Sequence, residues 1–189
     1  MATYSTNQFK SGLKIMLDGQ PCSIIENLIN RPGKGPATNK VKYRNLITGR
    51  VLDKTFKSGE KVEAADVVDT DMTFLYSDGN TYTFMHPETF EQLEVAKTAL
   101  EEASKWIQPE DLCTLTLWNG QSINVTPPTF VELKVTQSDP GLRGDTTGKV
   151  LKPATLETGA EIQVPLFVEP EEIIKVDTRT GEYHSRVKK

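Results

Sequence analysis

Short apolar runs alternate with polar residues and turn dipeptides along most of the chain, a pattern typical of antiparallel β structure. The first third contains runs such as LKIMLDGQPCSII and KVKYRNLITGRVLDKTF, and the last third contains TFVELKVTQ, EIQVPLFV and EEIIKVDT. Asp78-Gly79 and Asn119-Gly120 each separate two apolar runs, as tight hairpin turns do. We therefore predict an all-β fold.

One segment carries a different periodicity. The run ETFEQLEVAKTALEEASKWI repeats apolar residues at the i, i+3 and i+4 positions of a helix, namely Phe90, Leu93, Ala96, Leu100 and Ala103. This spacing predicts one short helix, within residues 88–106, and no other substantial helix in the chain.

Turn signals and a Pro-Pro break divide the chain into three parts. We predict domains at 1–64, 65–128 and 129–189, each of about 60 residues, near the lower size limit for a domain that folds alone. Turn signals every 8–12 residues, roughly, are typical of small barrels, and units of this size fit partly open five-stranded barrels of the OB type.

The net charge of −4 is unevenly distributed over these three parts. The first carries 11 Lys and Arg against 5 Asp and Glu, for +6, whereas the second carries −9 and the third −1. A basic first part suits a polyanionic partner. The acidic second part would be repelled by phosphate unless it faced away or met basic protein. The alternative is ordinary variation between solvated surfaces.

Several classes of chemistry have little support. The start, MATYSTNQFKSG, lacks an apolar signal core and no apolar run has the length of a membrane span, so we expect a cytoplasmic protein without a membrane partner. Cys22 and Cys113 are expected to be free thiols. His86 and His184 belong to no ligand-spaced cluster, so we expect no metal and no cofactor.

The stretch RPGKGPA, residues 31–37, places Lys34 between two glycines and two prolines. Proline fixes φ, and glycine permits positive φ without a side chain that would hold another surface away. The stretch predicts an exposed hairpin tip shaped for close approach to another molecule, with Lys34 at its apex. The alternative is an ordinary surface turn that contains a lysine.

An enzymatic role is not expected. A Schiff-base lysine is activated by burial or by a neighbouring cation, and a glycine-flanked tip offers Lys34 neither. The carboxylate pairs at 101–102 and 171–172 are adjacent in sequence, so each pair points in two directions. The loop GLRGDTTGK lacks the Lys-Ser/Thr ending of a Walker motif. Three aromatic residues, Tyr76, Tyr82 and Phe84, are either a base-stacking platform or, as strand alternation favours, core.

Five motifs, spread nearly end to end, resemble the bacterial elongation factor P family: RPGKG, LTLWNGQSINVTPPTFVEL, DPGLRGDTTG, KPATLETGAEIQVPLFV and IKVDTRTGEYHSR. The resemblance implies an N-terminal KOW- or SH3-like barrel followed by two OB-fold domains, in a monomer that mimics the shape of a tRNA. It also implies a factor that binds both ribosomal subunits between the peptidyl and exit sites, beside the peptidyl-site tRNA, and relieves stalling at consecutive prolines.

The resemblance also implies roles for individual residues. Lys34 matches the lysine that an enzyme similar to lysyl-tRNA synthetase extends by β-lysylation, sometimes with further hydroxylation, and that reaches the peptidyl transferase centre. The rest of that loop would lie against the tRNA acceptor end: Arg31, Pro32, Gly33 and Gly35. A loop matching one that approaches messenger RNA in the exit site contains Gly144, Asp145 and Thr146, and the residues matching contacts to the peptidyl-tRNA are Tyr183 and Arg186.

The chain departs from the family pattern at two positions. Glu171 replaces a usual glycine, so we expect a different turn there, and Pro36 follows the tip. Two other hypotheses remain: a paralogue similar to elongation factor P, and a generic RNA-binding OB-fold protein. The acidic middle part argues against the second.

Overall fold

The computed structural model describes residues 2–140 and 150–188. These residues form a nearly all-β structure, as predicted. The strands are β1 (Thr3–Ser5), β2 (Lys14–Leu17), β3 (Gln20–Asn30), β4 (Thr38–Asn45), β5 (Val51–Lys57), β6 (Lys61–Glu63), β7 (Val67–Ser77), β8 (Thr81–Met85), β9 (Gln92–Ala96), β10 (Leu112–Trp118), β11 (Gln121–Thr126), β12 (Phe130–Ser138), β13 (Leu151–Leu156), β14 (Glu161–Pro165), β15 (Ile173–Asp177) and β16 (Glu182–Arg186). The helical segments are a 3-10 helix (Thr6–Gln8), α1 (Lys97–Leu100) and a second 3-10 helix (Glu101–Lys105).

The N-terminal sheet has the order β2-β3-β4-β5, with antiparallel neighbours, and strands β1 and β6 form a separate two-stranded sheet. The core of the four-stranded sheet lies on one face, because alternate residues of β4 are buried while those between them are exposed. The buried apolar residues of this part are Phe9, Ile15, Leu17, Cys22, Ile24, Val41, Tyr43 and Phe56.

The middle sheet has the order β11-β10-β7-β8-β9. Both hairpin turns predicted within it are confirmed. Asn119 and Gly120 have φ of 50° and 81°, the left-handed pair that a type I′ turn requires. The Asp78 carboxylate accepts hydrogen bonds from the amides of Asn80 and Thr81 at 2.9 and 2.7 Å, which fixes the other turn.

The predicted helix is present but much shorter, and its first half was predicted wrongly. Residues Gln92–Ala96 form strand β9, antiparallel to β8, and the helical segments cover 97–105. Val95 is buried and its neighbours in the strand are exposed, so a period of two fits this run as well as the helical period did. Pairing with β8 decides between the two, because it satisfies the backbone amides of an otherwise short segment.

The C-terminal sheet has the order β14-β13-β12-β15-β16. Its core contains valine, leucine and isoleucine from all of these strands but one, together with Trp106, which follows the second 3-10 helix. The indole lies close to the turn before β16: a Cβ at Gly181 would be 3.5 Å from Trp106 Cζ2. Thr158 donates a hydrogen bond to the Lys105 carbonyl, which holds the same segment against the sheet.

The described backbone divides into two compact units, one with Met1–Thr70 and Leu115–Asn124, the other with Asp71–Thr114 and Val125–Lys189. The domain boundaries predicted after residues 64 and 128 stay predictions. None of the helices in the described residues has the length and apolarity needed to cross a membrane.

Glu171 occupies the turn before β15 with φ of 73°, the left-handed region that glycine adopts readily. Glu171 therefore holds a strained conformation that a glycine at this position would adopt readily. The Glu171 carboxylate lies 2.6 Å from Lys134 Nζ, and the Glu171 amide donates to the Val135 carbonyl at 2.8 Å. The backbone bond holds the turn, and the exposed ion pair adds little to stability.

Replacing Glu171 by glycine is expected to raise the free energy of unfolding by about 1 kcal/mol, because the left-handed conformation costs a side-chain-bearing residue roughly that much. Glu171→Ala is the control, since it loses the ion pair with Lys134 and keeps the strain. Urea denaturation of the three proteins measures the difference. A glycine variant less stable than the alanine variant would contradict this account.

Candidate functional site

The stretch from Arg31 to Ala37 joins β3 to β4 and is the tip of their hairpin, as predicted. The strands remain paired up to Asn30 and Thr38, directly below the tip. Lys34 is exposed, and so are the residues from Arg31 to Pro36 around it. The tip therefore presents its amine to solvent from the end of a long paired arm.

The two glycines of the tip differ in what they require. Gly35 has φ of 115°, which a residue with a side chain rarely adopts. A Cβ there would meet Pro32 Cγ at 3.9 Å, an ordinary contact, so conformation rather than space demands glycine. Gly33 lies outside the positive-φ region, and a Cβ on it would meet nothing within 4 Å. Its lack of a side chain leaves open space beside Lys34.

A buried polar network fixes the root of this hairpin. Asn39 on β4 donates from Nδ2 to Asn27 Oδ1 on β3 at 3.0 Å and to the Thr6 carbonyl at 3.4 Å. Asn27 in turn donates to the Phe9 carbonyl at 3.2 Å. Asn39 is 3% exposed, so these bonds lie away from water. They tie both strands of the arm to the first 3-10 helix and limit its freedom to swing.

Three cations lie on the exposed face of β4 below the tip. Lys40, Lys42 and Arg44 alternate with buried residues and so share the outer face of the sheet. Lys42 lies in register with Glu26 on one side and Asp53 on the other, which partly neutralise it. Lys40 and Arg44 have uncharged neighbours in register on both sides, so no paired carboxylate offsets their charge.

Tyr183 and Arg186, predicted together from the resemblance, meet around Phe167. The Arg186 guanidinium lies 4.5 Å from the Phe167 ring centre, and Tyr183 packs edge-on against the same ring at 6.4 Å. Arg186 also binds Glu172 through two hydrogen bonds, of 3.2 and 2.9 Å. A phosphate that approached Arg186 would therefore compete with a carboxylate already in place.

Burial raises the pKa of the Tyr183 phenol, although the positive charge of Arg186 opposes this effect. The phenol is therefore protonated at neutral pH and can donate a hydrogen bond to an acceptor such as a phosphate or ribose oxygen.

Phe167 and Glu172 were not among the predicted site residues. The turn at Thr180-Gly181 could have indicated part of this arrangement. A hairpin folded about this turn places Arg186 in register with Ile174, two residues after Glu172. No local pattern in the sequence indicates that Phe167 and Glu172 flank the same guanidinium. Gly144, Asp145 and Thr146 lie outside the described residues, so the predicted exit-site loop stays a prediction.

Three aromatic residues of the middle sheet, Tyr76, Tyr82 and Phe84, do not form one exposed platform. Phe84 is buried, Tyr82 is half-buried with its ring 5.4 Å from that of Phe74, and Tyr76 is exposed. The prediction of core is right for Phe84 and wrong for Tyr76. A base-stacking face of the generic OB type therefore has little support here.

Both cysteines are free, as predicted, and both are buried. Burial raises the pKa of the Cys113 thiol to about 12 and also raises that of Cys22. Neither thiol is a nucleophile at neutral pH, since the thiolate is the reactive form.

Family comparison matches the chain in three consecutive segments. The elongation factor P KOW-like domain matches residues 5–62, the elongation factor P OB domain matches 67–125, and the elongation factor P C-terminal domain matches 131–186. This succession defines a translation factor with a KOW-like domain followed by OB-type domains, which confirms the predicted fold class. The chain belongs to the elongation factor P family.

Two solved structures share part of this fold. A eukaryotic translation initiation factor 5A from Methanococcus jannaschii is 23% identical, with a TM-score of 0.55, over 67% of this chain and 92% of that chain. A translation initiation factor eif-5a family protein from Naegleria fowleri is 15% identical, with a TM-score of 0.52, over 66% and 95%. At these identities the likeness concerns the fold alone.

Asn39→Ala is expected to loosen the root of the hairpin and to cost about 1–3 kcal/mol, because Asn27 and the Thr6 carbonyl lose their buried donor. Hydrogen exchange of the amides in β3 and β4 should accelerate accordingly. Asn30→Ala, at the exposed end of the paired strand β3, is the control and should leave exchange unchanged. Equal exchange in the two variants would show that the network does not hold the arm.

Proposed function

We propose that this protein binds the ribosome between the peptidyl and exit sites and places Lys34, extended by β-lysylation, beside the acceptor end of the peptidyl-tRNA. It thereby stimulates peptide bond formation at consecutive prolines. Membership of the elongation factor P family supports a role in translation. The observation that carries the proposal is the exposed Lys34, presented by a glycine-flanked tip on an arm with a fixed root.

The geometry of the tip suits positioning better than proton transfer. Arg31 and Lys34 are the two titratable side chains in the stretch RPGKGPA, and both are cationic, so the tip offers no acid-base pair. Proline reacts slowly because its ring constrains φ and its amine is secondary. Holding the tRNA end in a reactive orientation restores part of the lost rate, and orientation contributes at the limit roughly 7–11 kcal/mol.

Each tip residue has a role in this proposal. Gly33 and Gly35 let the backbone approach the tRNA 3′ end, Pro32 limits the conformations of the tip, and Arg31 meets phosphate. The partners are the two ribosomal subunits, the peptidyl-site tRNA and an enzyme, similar to lysyl-tRNA synthetase, that modifies Lys34. The protein acts as a cytoplasmic monomer, and it needs no cofactor besides the covalent modification.

The C-terminal contacts fit the same proposal. Tyr183 offers a protonated phenol, and Arg186 offers a guanidinium that lies over the Phe167 ring. Both would contact the peptidyl-tRNA, with Arg186 exchanging Glu172 for phosphate. Gly144, Asp145 and Thr146 would approach messenger RNA in the exit site.

Lys34→Arg should abolish the rescue of a reporter with three successive prolines, in cells that lack the native factor. Arginine keeps the charge but does not accept the acyl group, and its planar head is a different donor. Lys10→Arg, an exposed lysine in the same unit, is the matched control and should rescue fully. Intact mass of both proteins shows whether Lys34 carries the modification.

Fold and abundance should be unchanged in the Lys34→Arg protein, because an exposed Lys→Arg change shifts stability by about 0.5 kcal/mol at most. Full rescue by this variant at equal abundance would reject the modified-lysine proposal. The stretch RPGKGPA would then be an ordinary turn.

Reversing Lys40, Lys42 and Arg44 to glutamate should weaken ribosome binding and reduce its dependence on salt, since fewer counterions are released from RNA. Binding titrations at several potassium concentrations measure both effects. We expect Lys40 and Arg44 to account for most of the change, because Glu26 and Asp53 already flank Lys42. Affinity equal to that of the unchanged protein at every salt concentration would refute this role.

A further inference from the structure

An exposed phenylalanine stands in a strained turn of the middle sheet. Phe90, between β8 and β9, is 68% exposed and has φ of 60°. The left-handed conformation costs a residue with a side chain roughly 1–2 kcal/mol, and a bulky ring in it is uncommon. Exposure of the ring to water means that burial does not offset this strain.

The turn that carries Phe90 is closed by several hydrogen bonds. The Phe90 amide donates to the His86 carbonyl at 2.9 Å, and the His86 amide donates to the Glu91 carbonyl at 2.9 Å. His86 Nδ1 accepts from the amides of Glu88 and Thr89 at 3.2 Å each. The ring is therefore presented from a defined backbone, so ordering this turn on binding would cost little conformational entropy.

Three exposed glutamates lie close to Phe90 in sequence. Glu88 and Glu91 flank it in sequence, Glu94 follows on β9, and all three are exposed. Within residues 2–140 and 150–188, the ion pairs leave these three carboxylates without a cationic partner. They belong to the part of the chain with a charge of −9. Phosphate would be repelled here, whereas a basic protein surface would be attracted.

From these observations we infer that Phe90, with Glu88 and Glu91, is a docking surface for a ribosomal protein that offers an apolar pocket with a basic rim. The Phe90 ring fills the pocket, and the two carboxylates meet the rim. Aromatic anchors within a polar rim are common at protein–protein contacts. The inference rests on the proposed function, because its partner belongs to the ribosome.

The test compares Phe90→Gly with the unchanged protein in binding to purified ribosomes. Glycine suits φ of 60°, so this variant should unfold at the same temperature or a higher one, while its affinity falls by roughly tenfold. Phe90→Asn is a second variant, since asparagine also tolerates this conformation. Tyr76→Ser, which removes an exposed aromatic ring from strand β7, is the matched control and should bind normally.

A benzoylphenylalanine at position 90, irradiated in the ribosome complex, identifies what the ring touches. Crosslinks to a basic ribosomal protein, lost when Glu88 and Glu91 are changed to lysine, are the expected result. Crosslinks to RNA or to nothing, or normal binding by both Phe90 variants, would overturn the inference and leave the proposed function intact. If the unchanged protein fails to bind ribosomes, the proposed function fails and the inference with it.

Discussion

Antiparallel pairing of β3 with β4, closed at its root by the buried amide of Asn39, is the constraint on which the N-terminal site depends. The tip is exposed, so its position must be set by the paired strands that carry it. The hydrogen bonds of Asn39 and Asn27 fix the direction of the β3–β4 hairpin relative to the N-terminal core. A buried amide has a high cost if its partners move, and this cost keeps the arm in one place.

Features set by local chemistry could be predicted from the sequence. The turns at Asp78-Gly79 and Asn119-Gly120 follow from side chains that bond their own backbone or tolerate positive φ, whatever the rest of the fold does. The exposure of the tip around Lys34 follows from the same kind of signal. These elements need no knowledge of distant neighbours, which is why a single sequence sufficed.

Features set by distant partners could not be predicted. The run from Gln92 to Ala96 suits two periods, and its pairing with β8 decides between them. The contacts of Arg186 with Phe167 and Glu172 join residues 19 and 14 positions away, and no local pattern encodes them. The strain at Phe90 could not be predicted either, since no sequence pattern indicates that a phenylalanine adopts the left-handed backbone conformation.

Trp106 lies outside the C-terminal sheet in sequence yet belongs to its core. A fragment of residues 129–189 would carry a vacancy the size of an indole, so this sheet is not a module that can be moved between proteins by cutting at the Pro-Pro break. The ribosome makes Trp106 before it makes β12, so the missing piece is already present when the last sheet forms.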